Sequence, residues 1–445
     1  MQKDLTQGSV IRNLLYFSLP YLLSCFLQTF YGLADLFITG QFNGANVISA
    51  VSIGSQVTHM LTVIIVGLAM GTTVTISHAI GAKKPEQAAK GIGNTVSLFA
   101  VFSLLLTVIL ILSLDQIIAV ISTPPEAVSQ ARDYLLICFV GVPFITAYNV
   151  ISSIFRGLGD SKSPMYFVAI AGIINVVLDF LFIGPMKMGA AGAAYATVIA
   201  QALSVVFALL ALTRRKLGIP LKKQDFHFDR SALSSILRVG VPISVQDGFI
   251  QVSFLVITAI ANSRGVVAAA SVGIVEKIIS FLFLVPSAML SSVSAIAAQN
   301  AGAGLHAQGR KVLRYAVEIC VVFGGIVAII CQFWSEPILG LFVHDNPDVI
   351  IMGGQYLRAY VFDCIVAGIH FCFSGYFCAY NKAYLSFIHN LVSILLIRIP
   401  GAYLASVHFP HTLYPMGLAA PLGSLLSALI CISVFFILRK KGQMK

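Results

Sequence analysis

Carboxylate side chains interrupt several long apolar stretches of this 445-residue chain. An ionisable group at the centre of a bilayer costs about 2.5–3.5 kcal/mol on insertion scales, so each one found there needs a function or a partner. Asn175 and Asp179 are four residues apart, and this spacing places an amide and a carboxylate on one helix face. Asp35 lies near the end of an earlier apolar stretch. We interpret these three side chains as a candidate site for an exchangeable cation.

Two kinds of cation fit the oxygen atoms of this candidate site. Burial disfavours a charged carboxyl group, and a second carboxylate nearby disfavours it further, so a buried pair can hold a proton and release it when water enters. Carboxylate oxygens together with an amide carbonyl and a hydroxyl can also coordinate Na⁺. Structural alternatives stay open, namely a solvated helix end for Asp35 and a hydrogen bond between helices for Asp179.

The second half of the chain carries a different set of ionisable groups. Asp363 and Arg398 lie in neighbouring apolar stretches, where an ion pair between them would offset the cost of burying each charge. Such a pair could be structural or could act in gating. Glu276 stands beside Lys277 towards the end of its span, and we interpret both residues as interfacial and structural.

A third polar group lies early in the seventh apolar stretch. Gln246, Asp247 and Gln251 could face a central cleft, and a solvated cytoplasmic helix end is the alternative. We therefore regard these three residues, with Asp363 and Arg398, as substrate-binding or gating candidates.

One short motif points toward an enzyme. The segment 157–160 reads Gly-Leu-Gly-Asp, as in intramembrane aspartyl proteases, which need a second aspartate after a tyrosine in another span. Here the order is reversed in Asp133-Tyr134, and Asp160 is followed by a turn-forming segment. No sequence pattern for ATP or for a paired metal site occurs either. We predict that the chain is not an enzyme and needs no cofactor.

The composition identifies the elements that must position these residues. Hydrophobic residues make up 58% of the chain and charged residues 10%, and the mean hydropathy is +0.92. Since soluble proteins are about 25% charged, these values exclude a water-soluble globule, and they also exclude a disordered chain. Eight cysteines in apolar stretches do not indicate a secreted disulfide scaffold. We predict an all-α membrane protein with about twelve spans, near residues 14–38, 47–78, 92–113, 131–155, 165–184, 190–212, 239–261, 268–298, 312–333, 355–377, 384–406 and 418–438.

The net charge of +11 reflects membrane topology rather than nucleic-acid binding. Most of the 28 Lys and Arg residues lie in short segments between spans. When the spans are counted from the N-terminus, most of these segments fall on the same side of the membrane as the N-terminus. Because cytoplasmic loops are enriched in basic residues, both termini are predicted to be cytoplasmic. Membrane lipid is the expected surrounding, no nucleic-acid partner is expected, and a monomer is expected.

The chain has two similar halves. Pro20 and Pro242 are 222 residues apart, and so are Phe155 and Phe377. We therefore predict an N-lobe at 1–212, a basic cytoplasmic linker at 213–238 and a C-lobe at 239–445. Parallel repeats of this kind occur in transporters whose substrate site lies between the halves, which favours transport as the function.

The chain resembles the MATE (multidrug and toxic compound extrusion) family of bacterial exporters over its whole length. The resemblance rests on Pro20 with Asp35 and Gly40, on GLAMGTTVTISHAIGAKKPEQA, and on IFRGLGDSKSPMYF followed by NVVLDFLFIG. It implies two six-helix bundles in a V-shape, a bacterial cytoplasmic membrane, and antiport of a substrate against H⁺ or Na⁺. It also implies a cation site, with Na⁺ as one candidate ion, made by matching residues: Asp35, Asn175, Asp179 and Thr197.

The resemblance extends to the second half with one difference. Other members use acids in the C-lobe, and the stretch YVFDCI places Asp363 in that pattern. The glutamate that usually accompanies it is replaced by Ile250 and Gln251.

We therefore predict an antiporter that exports amphipathic or cationic small molecules in exchange for H⁺ or Na⁺. A flippase for a lipid-linked precursor is the main alternative. A flippase would need a cationic cleft to hold a pyrophosphate, whereas Arg398 is the one clear basic residue within a span.

Overall fold

The protein is described by a computed structural model that covers residues 4–121, 123–214, 219–343 and 346–444. Within these ranges the regular structure is helical, with no strand. The prediction of an all-α membrane protein is confirmed. The helices run as follows: α1 Val10–Phe42, α2 Ala45–Gly81, α3 Pro85–Leu112, α4 Leu114–Val120, α5 Val128–Val140, α6 Val142–Gly157, α7 Lys162–Ile183, α8 Gly189–Arg214, α9 Arg230–Asn262, α10 Val266–Leu282, α11 Leu284–Gly302, α12 His306–Gly340, α13 Pro347–Tyr360, α14 Asp363–Ala379, α15 Ala383–Ser393, α16 Ile399–His408 and α17 Tyr414–Lys440.

The described helices are long and apolar enough to account for the predicted spans. Eleven helical segments, some built from two consecutive helices, could cross a membrane, and one further pair of helices brings the number to twelve. That pair is Pro125–Val140 with Val142–Gly157, and its two parts are bent by 48°. Gly141 and Pro143 explain the bend, because proline lacks the N–H of a helical hydrogen bond and its ring clashes with the preceding turn. The sequence predicted a single span here, near residues 131–155, and did not indicate the bend.

The chain divides into two compact units. Leu19–Gly240 makes up most of the first unit, and Leu5–Ser18 together with Val241–Lys445 makes up the second. Each unit has its own apolar core. Tyr134, Ile183 and Ala193 belong to a cluster in the first unit, and Val275, Tyr356 and Leu357 belong to one in the second.

Helices α7 and α8 pack closely within the first unit and carry most of its candidate site residues. Small buried side chains on α8, among them Ala190, Ala193 and Ala194, allow this close approach. The outer faces of α3 and α7 instead carry large apolar side chains, such as Leu112 and Ile173, which are well exposed. Large apolar side chains on these faces suit contact with lipid.

The segment between α8 and α9 is partly folded onto α3. Residues 215–218 of the predicted linker lie outside the described residues. After them, Lys223–Phe226 forms a short 3₁₀ helix. The Asn94 side chain donates a hydrogen bond to the Asp225 carbonyl (3.1 Å) and accepts one from the Asp229 N–H (2.7 Å). These bonds attach the described part of the linker to the first unit.

Helices in the second unit are broken more often than the sequence suggested. The predicted span 355–377 consists of α13 and α14, which are separated at Val361 and Phe362. The span 384–406 contains a π-helical segment, Ile394–Arg398, between α15 and α16. A π-helical turn inserts an extra residue into the helix and is frequent at functional sites. It ends at Arg398, the basic residue predicted within a span.

Candidate cation-binding site

The candidate site in the first unit is built from three helices that each contribute two polar residues. The pairs are Tyr31 with Asp35 on α1, Asn175 with Asp179 on α7, and Thr197 with Gln201 on α8. Each pair is four residues apart, so both members of a pair lie on the same helix face. The four-residue spacing aligns the two members of each pair, and the packing of α1, α7 and α8 brings the three pairs together.

Hydrogen bonds connect the three helices. Asn175 Nδ2 donates a long hydrogen bond to Thr197 Oγ1 (3.5 Å), and Thr197 Oγ1 donates to Asp35 Oδ2 (3.3 Å). The carboxyl group of Asp179 lies near enough to that of Asp35 for the two to interact electrostatically. The structure therefore brings together all four predicted residues of the site.

The site is shielded within the first unit, and its oxygen atoms are poorly satisfied. Asp35, Asn175 and Asp179 expose 3%, 1% and 0% of their surfaces. Four of their buried oxygens accept no hydrogen bond: Asp35 Oδ1, Asn175 Oδ1 and both carboxylate oxygens of Asp179. Buried acceptors without donors are costly, and a proton or a cation would satisfy them. The donor set of two carboxylates, an amide carbonyl and a hydroxyl is all oxygen, which suits a hard cation.

A second layer of polar residues lies beside the site. Gln201 Nε2 donates a hydrogen bond to the Tyr31 hydroxyl (3.2 Å), while Thr39 Oγ1 donates to the backbone carbonyl of Asp35 (2.7 Å). Tyr31 also lies within electrostatic range of Asp35. Our sequence reasoning missed Tyr31 and Gln201. Their spacing of four residues from Asp35 and Thr197 was the signal that could have found them.

The second unit holds a different arrangement around Arg398. Arg398 Nη2 donates a hydrogen bond to the Tyr360 hydroxyl (2.7 Å), and its guanidinium lies over the Phe254 ring, 4.7 Å from the centroid. The expected direct ion pair with Asp363 is not formed, since both carboxylate oxygens of Asp363 are buried without a hydrogen-bond partner. Arg398 nevertheless interacts electrostatically with Asp363. The aromatic partners hold the guanidinium away from direct contact with the acid.

Glu276 belongs to the same region, which differs from its interpretation as an interfacial residue. Glu276 Oε2 accepts a hydrogen bond from Thr258 Oγ1 (3.1 Å), and its charge interacts with that of Arg398. Lys277 is exposed. Consecutive residues on a helix do not face each other, so adjacency in the sequence did not indicate a pair.

Among the described residues, no hydrogen bond or ion pair joins the three candidates on α9 to Asp363 or Arg398. Gln246 is buried, and its Oε1 has no hydrogen-bond partner. Asp247 and Gln251 are half-buried. Asp247 interacts electrostatically with Cys378 on α14.

The aspartate of the protease-like motif has a structural role. Asp160 Oδ1 accepts hydrogen bonds from the backbone N–H groups of Lys162 and Ser163, both at 3.0 Å, and Oδ2 accepts one from the Ser163 hydroxyl. The carboxylate therefore satisfies N–H groups at the start of α7 that have no partner inside the helix.

Comparison with known proteins decides the family. The MatE family model matches the chain twice, over residues 20–181 and 242–404. The chain belongs to the MatE family. The second match begins 222 residues after the first, the same offset as between the two prolines of the sequence repeat. Members of this family are transporters and not enzymes, which agrees with the structural role of Asp160.

Relatives of this MatE chain carry transporter names. It is 29% identical over 414 residues to the probable multidrug resistance protein YpnP of Bacillus subtilis, with 91% of this chain and 90% of the relative covered. It is 28% identical over 445 residues to a FAD transporter of Shewanella oneidensis, with 96% and 94% covered.

A solved structure supports the fold. A MOP superfamily transporter from Pyrococcus furiosus superposes with a TM-score of 0.92 at 22% identity, covering 99% of this chain and 98% of the other. At this identity the similarity shows the fold alone. Together with the apolar helices, these findings establish a multi-pass membrane transporter with relatives named for multidrug resistance.

Proposed function

We propose that this MatE transporter exports amphipathic, cationic small molecules in exchange for H⁺ or Na⁺, and that Asp35, Asn175, Asp179 and Thr197 bind the coupling cation. One observation carries the proposal. Two acids and an amide lie together in a buried position, and four of their oxygens lack a hydrogen-bond donor. An uncompensated pair of acids in an apolar bundle is expensive unless it binds and releases a positive ion.

The arrangement suggests how each residue contributes. Asp35 and Asp179 supply the negative charge, and they are close enough to compete for a single proton. Thr197 links α8 to Asp35, and Asn175 links α7 to Thr197. A cation entering the site would draw the free oxygens of α1 and α7 together. Its loss would leave two carboxylates repelling each other, which gives the site two states of different energy.

Exchange for an inward-moving cation offsets the electrical work of exporting a positive charge. Moving one positive charge outward against 100 mV, inside negative, costs about 2.3 kcal/mol. Exchange for one inward H⁺ or Na⁺ cancels that movement of charge. Both ions fit an all-oxygen site, so the proposal covers either.

The membrane and the lobes complete the proposal. We place the protein in a bacterial cytoplasmic membrane as a monomer with both termini cytoplasmic, because the basic residues cluster on that side. The N-lobe at 1–212 would carry the cation site, and the C-lobe at 239–445 would follow the linker at 213–238.

A second substrate class is favoured by a specific feature. The Shewanella relative is named a FAD transporter, and FAD is an anion. An anionic dinucleotide is therefore the alternative substrate.

The test uses cells without their own efflux pumps that express this chain. We expect them to accumulate less ethidium than control cells. A proton uncoupler should abolish the difference if H⁺ is coupled, and sodium-free medium should abolish it if Na⁺ is coupled. Ethidium accumulation that matches control cells, together with export of FAD, would replace the cationic substrate by the anionic one. Efflux that survives both treatments would contradict cation coupling.

A further inference from the structure

Basic side chains collect at one end of the second unit, where α12 begins and where α14 and α17 end. The segments 305–318, 376–382 and 435–444 contain one acid, Glu318, and seven Lys or Arg residues: Arg310, Lys311, Arg314, Lys382, Arg439, Lys440 and Lys441. Glu318 accepts a hydrogen bond from Arg314 at 2.7 Å. The other basic residues therefore have no acid within these segments, and on the proposed topology they lie on the cytoplasmic side.

Helix α12 places Arg310 beside two tyrosines at the end of α14. His306 Nδ1 lies 3.0 Å from the Tyr380 hydroxyl, and a Cβ atom at Gly309 would lie 3.8 Å from the Tyr376 ring. Arg310 follows His306 by four residues, so it lies on the same face of α12, one turn further along. Its charge interacts electrostatically with both tyrosines. The start of α12 therefore presents a cation to the end of α14.

Helix α17 places a second guanidinium at the same tyrosines. The Phe435 ring packs on the Tyr376 ring at a centroid distance of 5.7 Å. Arg439 follows Phe435 by four residues on the same face of α17, and its charge also interacts with Tyr376. Lys382 Nζ donates a hydrogen bond to Gln443 Oε1 (2.9 Å), which ties the segment after α17 to the turn after α14. Helices α12 and α17 therefore each bring one guanidinium to Tyr376.

The hydroxyl groups at this place leave a hydrogen-bond donor for a ligand. The Tyr376 hydroxyl donates to the Tyr380 hydroxyl (3.3 Å), and in its Nδ1–H tautomer His306 donates to the same oxygen. The Tyr380 proton is then available to another oxygen atom. Tyr376 is buried, whereas Tyr380, His306 and Arg310 are half-buried and Arg439 is exposed. The group is therefore closed on its inner side and accessible on its outer side.

Neither guanidinium has an acidic partner in the described part of the chain. No carboxylate there forms a hydrogen bond or an ion pair with Arg310 or Arg439, whereas Arg314, one turn after Arg310, pairs with Glu318. Two like charges that approach the same buried side chain repel each other. An anion bound between them would remove this repulsion.

The chemistry of these side chains matches a phosphate group. The planar fork of a guanidinium donates two parallel hydrogen bonds to phosphate oxygens, and a tyrosine hydroxyl donates another. Phe436 and Ile437, just before Arg439, are 53% and 52% exposed, so an apolar surface adjoins the basic one. A soluble phosphate would use only the basic part, whereas a phospholipid would use both. Basic pockets between helices on the cytoplasmic side are known to suit anionic lipid headgroups.

We propose that Arg310, Arg439 and the Tyr380 hydroxyl bind the phosphate group of an anionic phospholipid at this end of the second unit. The two guanidinium groups hold the phosphate oxygens, the hydroxyl donates to one of them, and the acyl chains lie along the exposed apolar face of α17. The site is separate from the cation site of the first unit. It requires neither the proposed substrate nor the proposed coupling ion.

The test measures lipid retention by the purified full-length protein. Native mass spectrometry counts the lipids bound when the protein, in neutral detergent, is mixed with equal amounts of phosphatidylglycerol and phosphatidylcholine that have the same acyl chains. We expect the wild type to retain one phosphatidylglycerol in preference to phosphatidylcholine. Arg310→Gln and Arg439→Gln should each lower this retention at least about tenfold, because each removes charge-assisted hydrogen bonds.

Neighbouring lysines provide matched controls. Lys311→Gln and Lys440→Gln each remove one positive charge from an exposed position beside an arginine of the site. We expect them to change retention by less than about threefold, as for other exposed charges. Equal losses in the arginine and lysine variants would show diffuse attraction to a charged surface and would overturn the proposal. Equal retention of the two lipids by the wild type would also overturn it, and that result does not depend on the folding of any variant.

A second arm separates a lipid headgroup from a soluble phosphate. Phosphatidylglycerol, inorganic phosphate and pyrophosphate are added separately at equal concentrations, and the thermal midpoint of the wild type is measured. We expect phosphatidylglycerol to raise the midpoint and the two soluble anions to leave it unchanged. If only the soluble anions raise it, and this effect is lost in Arg310→Gln and Arg439→Gln, the site binds a soluble phosphate compound and the lipid proposal is wrong.

Discussion

The two units differ in how their buried charges are compensated. In the first unit, Asp35 and Asp179 lie together with no basic side chain in the cluster, and their free oxygens lack donors. In the second unit, Arg398 lies among Glu276 and Asp363 and compensates part of their charge. A protein that needed only stability would compensate both sites. The uncompensated site is therefore the better candidate for exchanging an ion, and the compensated one for holding its charge in place.

The largest expected effect tests the compensation in the second unit. Replacing Arg398 by leucine leaves Glu276 and Asp363 without their counter-charge, and we expect a loss of stability of about 3–5 kcal/mol. The thermal midpoint of the purified protein measures it. Arg398→Lys is the matched control, because it keeps the charge while losing the planar guanidinium. Equal midpoints for Arg398→Leu and wild type would remove the contrast between the units.

The next effect tests exchange in the first unit. Asp179→Asn removes a charge without changing size, so we expect the thermal midpoint to be maintained. Coupled ethidium efflux should fall at least about tenfold, equivalent to about 1.4 kcal/mol. Asp115→Asn is the control, since Asp115 forms an exposed salt bridge with Arg132. Full efflux by Asp179→Asn would show that the acid is structural.

A smaller effect tests the Thr197 hydroxyl, which links α8 to Asp35 on α1 and to Asn175 on α7. Thr197→Val removes the hydrogen bonds to Asp35 and Asn175 while preserving shape. We expect the half-saturating concentration of the coupling ion to change roughly fivefold, which corresponds to about 1 kcal/mol. Thr197→Ser should stay near wild type because it retains the hydroxyl. If valine and serine behave alike, the hydroxyl does not contribute.

The smallest effect concerns the second layer of the site. Tyr31→Phe removes the acceptor of the Gln201 hydrogen bond. We expect the half-saturating concentration of the coupling ion to change about twofold, which corresponds to about 0.5 kcal/mol. Tyr166→Phe, at an exposed position on α7, is the control. An effect of Tyr31→Phe as large as that of Asp179→Asn would place the tyrosine in direct contact with the ion.

The sequence predicted the fold better than it predicted the details of the second unit. Length, hydropathy and the offset of 222 residues were sufficient for twelve spans and the repeat, because lipid demands long apolar helices. The shared face of Asn175 and Asp179 followed from the spacing in a regular helix, whereas their meeting with Asp35 was implied by the family resemblance. The breaks at Gly141 and Phe362 were missed because hydropathy averages over them.

Local geometry explains the remaining errors. The Asp363–Arg398 ion pair was expected from two charges in neighbouring spans, but the π-helical turn before Arg398 and the Tyr360 hydroxyl redirect the guanidinium. The proximity of His370 to His389 could not be read from a spacing of nineteen residues across a helix break. Such contacts depend on packing between helices, which periodicity does not specify.

The most direct test of the central claim is the number of cations moved per substrate molecule in proteoliposomes that contain the purified protein. The account predicts that the wild type moves H⁺ or Na⁺ against each exported molecule, and that the double variant Asp35→Asn/Asp179→Asn moves substrate without the ion or not at all. An unchanged ratio of ion to substrate in the double variant would contradict the account.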